Sequence, residues 1–417
     1  MIHAPLSPGP LFSQRAETVR RTLAETGLDA LIVTHPPNLR YLSGFDGSLG
    51  ILLLAPTRAA LIVDGRYITT ARERAGSSKE LQWIEVELAS RSLEERLIDA
   101  VLEFQAGAIG VEAAAMTLSR FERLSGLLGA RQGTDLKGVR LIPTERIVER
   151  ARLIKDAFEV GTLRKAAGLL SEVAARALEV VTPGRAELEV AADVDSFLRQ
   201  AGFSKPAFDT IVASGPNSAL PHARPGARRL GPGDSVVLDF GGVYDGYCVD
   251  LTRTVQLPPA SDAFARTFGA VRAALDAAIA AIRPGVRASL VDSAARDVLV
   301  ARGLGEAFVH GTGHGLGLEV HEEPRVTKPG SPILDEVLQP GMVFTVEPGA
   351  YLPGMHGVRI EDDVVVTAGG CEVLTSVPID PIRVHPSTMP GAPLSEVDGR
   401  ASGNPGGAAG RRGPAGE

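Results

Sequence analysis

Residues 235–255 read SVVLDFGGVYDGYCVDLTRTV, two β-rich runs flanking a Gly-Gly and Asp-Gly region. Alternation of apolar and β-branched residues around such a turn predicts a hairpin that bends at Tyr244 to Gly246. Asp239 and Asp250 lie an odd number of residues apart, so a hairpin turning there puts both on one face, opposite or diagonal. Two carboxylates that close repel strongly unless a cation sits between them.

The chain repeats the arrangement further on. GMVFTVEPG and GVRIEDDVVV are β-rich runs joined by a turn expected at Pro353, Gly354 and Gly357, and Glu347 can face Glu361 across it. His314 completes the set from HGTGHGLGLEV, where glycines at 311, 313, 315 and 317 make a helix costly and favour a strand or extended loop. In an extended segment His310, Thr312 and His314 share one face.

Aligning the chain with itself gives a stronger argument. VVTPGRAELEVAADVDSFLRQAG (180–202) and AIRPGVRASLVDSAARDVLVARG (281–303) share Pro-Gly, an amphipathic helix and a closing Gly. PGDSVVLDFG (232–241) then matches PGMVFTVEPG (340–349), placing Asp239 on Glu347, while YDGYCVDLTRTV on MHGVRIEDDVVV places Asp250 on Glu361. PHARP around His222 and VHEEP around His321 form a shorter match. Two α/β halves, each supplying two carboxylates, are expected to close around a pseudo-two-fold axis with the site at their junction. One histidine against four carboxylates is an oxygen-rich set that suits Mn, Co or Zn in a bridged pair better than a thiolate site.

These motifs, with VLDFGG, YCVDLTRT, HGTGHGLGLEVHEEP, FTVEPGAYLPG and GVRIEDD taken together, resemble the creatinase, prolidase and aminopeptidase P family over roughly residues 11–385. The resemblance implies a pita-bread catalytic domain, the duplicated α/β unit shared with methionine aminopeptidase, behind a smaller creatinase-type α/β domain; the fold class is α+β. It implies two divalent ions, with Asp239 on one, His314 and Glu347 on the other, and Asp250 and Glu361 bridging. The family's non-ligand histidines fall on His222, His310 and His321, and its active-site arginine and tyrosine on Arg359 and Tyr351. The implied chemistry is hydrolysis of the bond between an N-terminal residue and proline, with manganese the first expectation. Glu347 would carry the proton between water and the leaving nitrogen, with His310 and His321 assisting. No ligand position departs from the pattern, which argues against creatinase itself, which works without metal, and against a non-catalytic binding module. Methionine aminopeptidase shares the five ligands but fits Arg359, His310, Tyr351 and the N-terminal domain less well. A dipeptidase is slightly favoured over an aminopeptidase P acting on longer peptides.

Four segments are expected: a flexible start (1–10), an α/β domain (11–148), the catalytic domain (149–385) and a disordered Gly/Pro-rich tail (386–417). GLDALIVT, LGILLLA, AALIVDG and AIGVEAA read as strands of a mixed sheet, with helices around 94–105 and 117–129. NLRYLSGF and VDGRY resemble the same family's N-terminal domain. Asp156 followed by Glu159 is a capping signature for the helix that opens the catalytic part.

A net charge of −7 and pI near 5.7 give no basic footprint for nucleic acid. No apolar run approaches the ~20 residues of a membrane span, and the start of the chain has no apolar signal core, so a cytoplasmic enzyme is expected. Cys248 and Cys371 make no disulfide framework, and Cys248 reads as a small buried filler. His356 reads as an exposed turn residue. HGTGHGLG lacks the strand, GxGxxG and helix order of a nucleotide loop. Arg40 and Arg66 are ordinarily surface or structural residues; the sharper expectation is that one of them, Arg40 the first choice, reaches a neighbouring active site and binds a dipeptide carboxylate. The resemblance implies a homodimer or larger homo-oligomer acting on peptides with proline second.

Overall fold

The computed structural model describes residues 11–131, 138–331 and 334–379, all within one unit spanning Met1–Val384. The expected flexible start and the tail from 386 lie outside the described residues.

The first part is built on a six-stranded sheet in the spatial order Ile84–Leu88, Ala59–Val63, Ile51–Leu54, Ala30–Val33, Ala108–Glu112 and Arg140–Thr144. Ile51–Leu54 runs antiparallel to both neighbours and the remaining pairs are parallel, which makes the sheet mixed. The central strands are apolar throughout because both faces are covered. Leu31, Val33, Leu52 and Leu54 pack with residues of the helices Phe12–Thr26 and Pro36–Ser43. Ala30, Ile32, Ile51 and Leu53 pack on the opposite side with Leu93–Phe104 and Leu118–Arg131.

The helix Ala157–Glu179 opens with the expected capping box, Glu159 N donating to Asp156 Oδ1 (2.9 Å) and Asp156 N to Glu159 Oε2 (3.0 Å). Arg15, nearly buried, reaches across from the first helix to Asp156 at 2.8 Å. The two parts of the chain are therefore joined at a helix start, where a negative side chain is already favoured.

The duplication is visible in the backbone. The helices Glu187–Gln200 and Ala288–Ala301 come just after glycines with positive φ, Gly184 (88°) and Gly285 (86°). Gly184 N donates to Leu230 O and Gly285 N to Leu338 O, at 2.8 and 2.9 Å, and matching isolated bridges join Ala186 to Arg229 and Arg287 to Val337. Each half then contributes a hairpin. The first, Ser235–Tyr244 with Tyr247–Gln256, turns on Asp245 and Gly246, both with positive φ, as a tight two-residue turn requires. Gly241 and Gly242 lie within the strand rather than in the turn. A Cβ on Gly241 would meet Val249 O at 2.3 Å, and one on Gly242 the Phe203 ring at 2.4 Å.

The second hairpin is one register split between two sheets. Val343–Val346 pairs with Asp362–Val366 in a five-stranded sheet, and Gly349–Leu352 pairs with His356–Arg359 in a two-stranded ribbon. Its turn holds Gly354 (φ 73°), but Gly357 belongs to the ribbon strand, where a Cβ would strike Ser218 O. His356 is in that strand too and is buried, Nε2 lying 3.0 Å from Thr267 Oγ1. The expectation of an exposed turn residue fails because the helix Asp262–Ala281 covers the ribbon. No helix among the described residues is long and apolar enough to cross a membrane.

Candidate metal centre

Asp239 lies across from Thr252 in the first hairpin, and Asp250 precedes Thr252 by two residues, so the two aspartates are diagonal on one face. Glu347 and Glu361 occupy the break in the second hairpin. Val346 pairs with Asp362 and Gly349 with Arg359, a register that sets the two glutamates across from one another. Their amides are bound elsewhere: Glu347 N donates to Thr312 O (2.7 Å) and Glu361 N to Thr252 O (3.1 Å).

His314 is the middle residue of the strand Gly313–Gly315. A Cβ on either flanking glycine would overlap backbone, Thr345 O for Gly313 and Glu323 O for Gly315. The glycines thus permit the close approach that carries His314 to the carboxylates. His314 Nε2 lies 3.6 Å from Glu347 Oε1 and 3.9 Å from Asp250 Oδ2. Donor atoms of Asp250, His314 and Glu361 fall within 4.8 Å of one another.

The electrostatics of this cluster call for a cation. Burial, then the charges of Asp239, Asp363 and Glu347, push Asp250 well above the usual carboxylate range. Glu361 is raised in the same way, by burial and then by Asp250 and Glu347, and burial lifts Glu347 to about 7. Burial holds the His314 imidazole down at about 3, so it is a neutral donor at neutral pH. Asp250 Oδ1 is buried without a hydrogen-bond partner. Desolvated carboxylates of this kind are stable only as protonated groups or as ligands.

All five residues line one cavity of about 450 Å³, together with His222, His310, His321, Arg325 and Arg359. Phe208, Ile211, Pro221, Ala223 and Pro225 give it an apolar side. His321 stacks edge-on against His314 with ring centroids 4.3 Å apart.

Residues 161–368 match the model of metallopeptidase family M24, and residues 15–154 match the creatinase/prolidase N-terminal domain. The chain is 36% identical over 364 residues to the uncharacterized peptidase YqhT of Bacillus subtilis, covering 87% of this chain and 98% of that one. The chain belongs to metallopeptidase family M24. Solved structures similar to this M24 chain include an Xaa-Pro dipeptidase from Bacillus anthracis (TM-score 0.82, 35% identity, 89% and 99% of the two chains). Another is an X-Pro aminopeptidase from Thermotoga maritima (TM-score 0.78, 33% identity, 87% and 100%). The architecture is accordingly the pita-bread catalytic fold preceded by a creatinase-type domain.

The donor set fits the divalent cation that an M24 metallopeptidase uses. Four carboxylates and one neutral imidazole converge, and Asp250 Oδ1 has a lone pair to offer. The structure brings His222, His310, His321 and Arg359 to the same cavity as the five candidate ligands. Tyr351 is behind the wall. Its hydroxyl lies 2.7 Å from Arg359 Nη1 and 2.8 Å from His310 Nε2, so it links two lining residues instead of lining the cavity itself. Thr312 turns away, its hydroxyl donating to Asp292 Oδ1 (2.9 Å), because residues 310–312 precede the strand and do not keep its alternation.

Arg40 is not at this M24 chain's own cavity. Its guanidinium is held by Asp245 in the hairpin turn, Nη2 lying 2.9 Å from Asp245 O and 3.0 Å from Oδ1. Arg66 is exposed and paired with Asp64. Beside Arg359 the cavity is lined by Arg224 and by a cation the sequence reading missed, Arg325. It lies across from His314 in the strand pairing, so the same-face reasoning used for the aspartates would have found it had Glu322–Val326 been read as a strand.

Proposed function

We propose that this chain is a metal-dependent exopeptidase that hydrolyses the bond between an N-terminal residue and proline, with dipeptides favoured. The observation that carries the reading is the convergence of four carboxylates and His314 in a cavity that also holds His222, His310, His321 and three arginines, Arg224, Arg325 and Arg359. The names of the relatives support it, the Bacillus anthracis protein being an Xaa-Pro dipeptidase. On this reading residues 11–148 and 149–385 form the two domains. The site would hold two divalent ions, manganese first, with cobalt or zinc as alternatives, through Asp239, Asp250, His314, Glu347 and Glu361.

Bound ions would supply the positive charge that activates a water and polarises the scissile carbonyl. The chain's own residues do the rest. Glu347 moves the proton from the attacking water towards the leaving nitrogen. His310 is held neutral, burial keeping it at about 4, and its ring is fixed in the cavity wall by Nδ1 against Gly311 O (2.7 Å) and by Nε2 against the Tyr351 hydroxyl (2.8 Å). His222 and His321 line the same cavity. Arg359 is locked by the Asp239 carboxylate and by the Tyr351 hydroxyl, which fixes its guanidinium plane. The nitrogen of an Xaa-Pro bond has no N–H, so the ring is recognised by shape, a task for the apolar side near Phe208 and Ile211. Arg325 replaces Arg40 as the group for a free substrate carboxylate.

An aminopeptidase acting on longer peptides is the second reading, favoured by the similarity to the Thermotoga maritima enzyme. Initial rates on Ala-Pro, Ala-Pro-Ala and a longer Xaa-Pro peptide, with metal-stripped protein resupplied with manganese, separate them. Cleavage confined to the dipeptide establishes the first; preference for the longer peptides establishes the second. No cleavage of any of them rejects both.

A further inference from the structure

The helix Ala288–Ala301 carries a half-buried ion pair that no step above uses. Asp292 is fully buried, and Arg296, one turn on, meets it with two bonds: Nε to Oδ2 at 2.9 Å and Nη2 to Oδ1 at 3.0 Å. The same guanidinium also donates to two backbone carbonyls of the segment that leads to the cavity, to Phe308 O at 3.0 Å and to His310 O at 2.8 Å. It stacks 4.2 Å over the Phe308 ring, which in turn packs edge-on against His310 with centroids 5.2 Å apart. Asp292 Oδ1 further accepts from Thr312 N at 3.0 Å and from the Thr312 hydroxyl.

We propose that Arg296, anchored by Asp292, is the positioning residue that sets where the His310 imidazole stands in the cavity. The segment 308–312 is irregular, so it has no ladder of its own to fix its backbone. Arg296 supplies the missing partners, and a rigid fork that bonds two carbonyls fixes their spacing as well as their position. The imidazole is then held at both ends, its backbone by Arg296 and Nε2 by the Tyr351 hydroxyl. Neither Arg296 nor Asp292 lines the cavity, so the pair acts only through the groups it holds.

The inference rests on the proposed role of His310, and a double-mutant cycle tests the two separately. Arg296→Met should lower kcat on Ala-Pro on the order of tenfold, the scale expected when a reacting group is displaced by a fraction of an ångström. Placed in His310→Ala, the same change should cost nothing more. In metal-free protein, nitrogen-15 histidine spectra should show the His310 ring signals shifted by Arg296→Met while those of His356 stay, and manganese titration should give unchanged stoichiometry. Arg296→Lys, which keeps the charge beside Asp292 but cannot reach both carbonyls, should fall between wild type and Arg296→Met, and it carries the test if Arg296→Met does not fold. Losses that multiply across the cycle, or Arg296→Lys at the wild-type rate with unmoved His310 signals, overturn the inference. His310→Ala at the wild-type rate overturns the role of His310, and the inference with it.

Discussion

The Thr252 hydroxyl donates to Glu361 Oε2 at 2.6 Å, tying a side chain of the first hairpin to a candidate bridging carboxylate of the second. Arg359 Nε reaches the same hydroxyl oxygen at 3.2 Å. Thr252→Val keeps the shape and removes the donor, so Glu361 loses the bond that aims it. Manganese affinity should fall about 10- to 100-fold, as for other groups that orient a ligand. Calorimetric titration checks this, and unchanged affinity would show that the hairpin register alone aims Glu361.

Removing charge from the cluster should have opposite effects with and without metal. Glu361→Gln relieves repulsion between desolvated carboxylates, so the metal-free melting temperature should rise, by the equivalent of about 1–3 kcal/mol. The same variant should lose the stabilisation that manganese gives the parent protein. A metal-free Glu361→Gln that melts below the parent would contradict the electrostatic picture.

The pH dependence of metal-free stability has a definite sign. Burial, reinforced by the charge of Asp239, raises Glu347 to about 7, above the ~4.3 of an unfolded glutamate. Its stabilising contribution is fully present below the unfolded value and is lost as pH rises through about 7. His314 and His310, held at about 3 and about 4, act in the other direction, and their gain continues until the unfolded histidines, at ~6.5, have lost their protons. The Glu347 contribution is therefore read as a difference: Glu347→Gln should gain metal-free stability relative to the parent as pH rises from about 5 to about 7, and the difference should level off above that. A difference that does not grow over that interval would remove Glu347 from the account.

Arg325 distinguishes a substrate that ends at the proline, with its carboxylate free, from one in which the chain continues. Arg325→Met should raise KM for Ala-Pro by about tenfold or more through loss of a charge-assisted bond to the carboxylate, and should leave a longer Xaa-Pro peptide nearly unaffected. Equal effects on the two substrates would place the free carboxylate elsewhere.

Glu322 adjoins His321 and is buried against two cations, Arg152 Nη2 at 2.6 Å and Lys155 Nζ at 2.7 Å. Those cations hold its carboxyl below the usual range despite burial. Glu322→Ala takes the carboxylate from buried Lys155, while Arg152 keeps Glu319 at 2.8 Å, and should destabilise by about 3–5 kcal/mol, read from denaturant midpoints. A loss under about 1 kcal/mol would mean that water reaches the site and screens the pair.

The parity of the two hairpins and the internal repeat made the four carboxylates legible, because a strand's two-residue period converts spacing directly into facing. The glycines around His314 were read as helix breakers, whereas their main work is steric, and a missing Cβ leaves no trace of what approaches it. Thr312 and His356 were misjudged for a related reason. One precedes its strand, and the other is covered by a helix distant in sequence. Arg325 was missed because EEPRV, with its proline, does not look like a strand, and Arg140–Thr144, RLIPT, escaped notice for the same reason. Asp292 and Arg296 lie four apart on their helix, a spacing that says nothing of the segment they hold.

The split of the second hairpin between two sheets leaves Glu347 and Glu361 with amides that bond neither each other nor their own ladder. Glu361 is instead attached through Thr252 to the opposite half of the molecule. Each half already sets two acids on one face, Asp239 being the first of the charges that raise Asp250. Docking compounds that repulsion by bringing the second pair against the first, Asp250 being the first of the charges that raise Glu361.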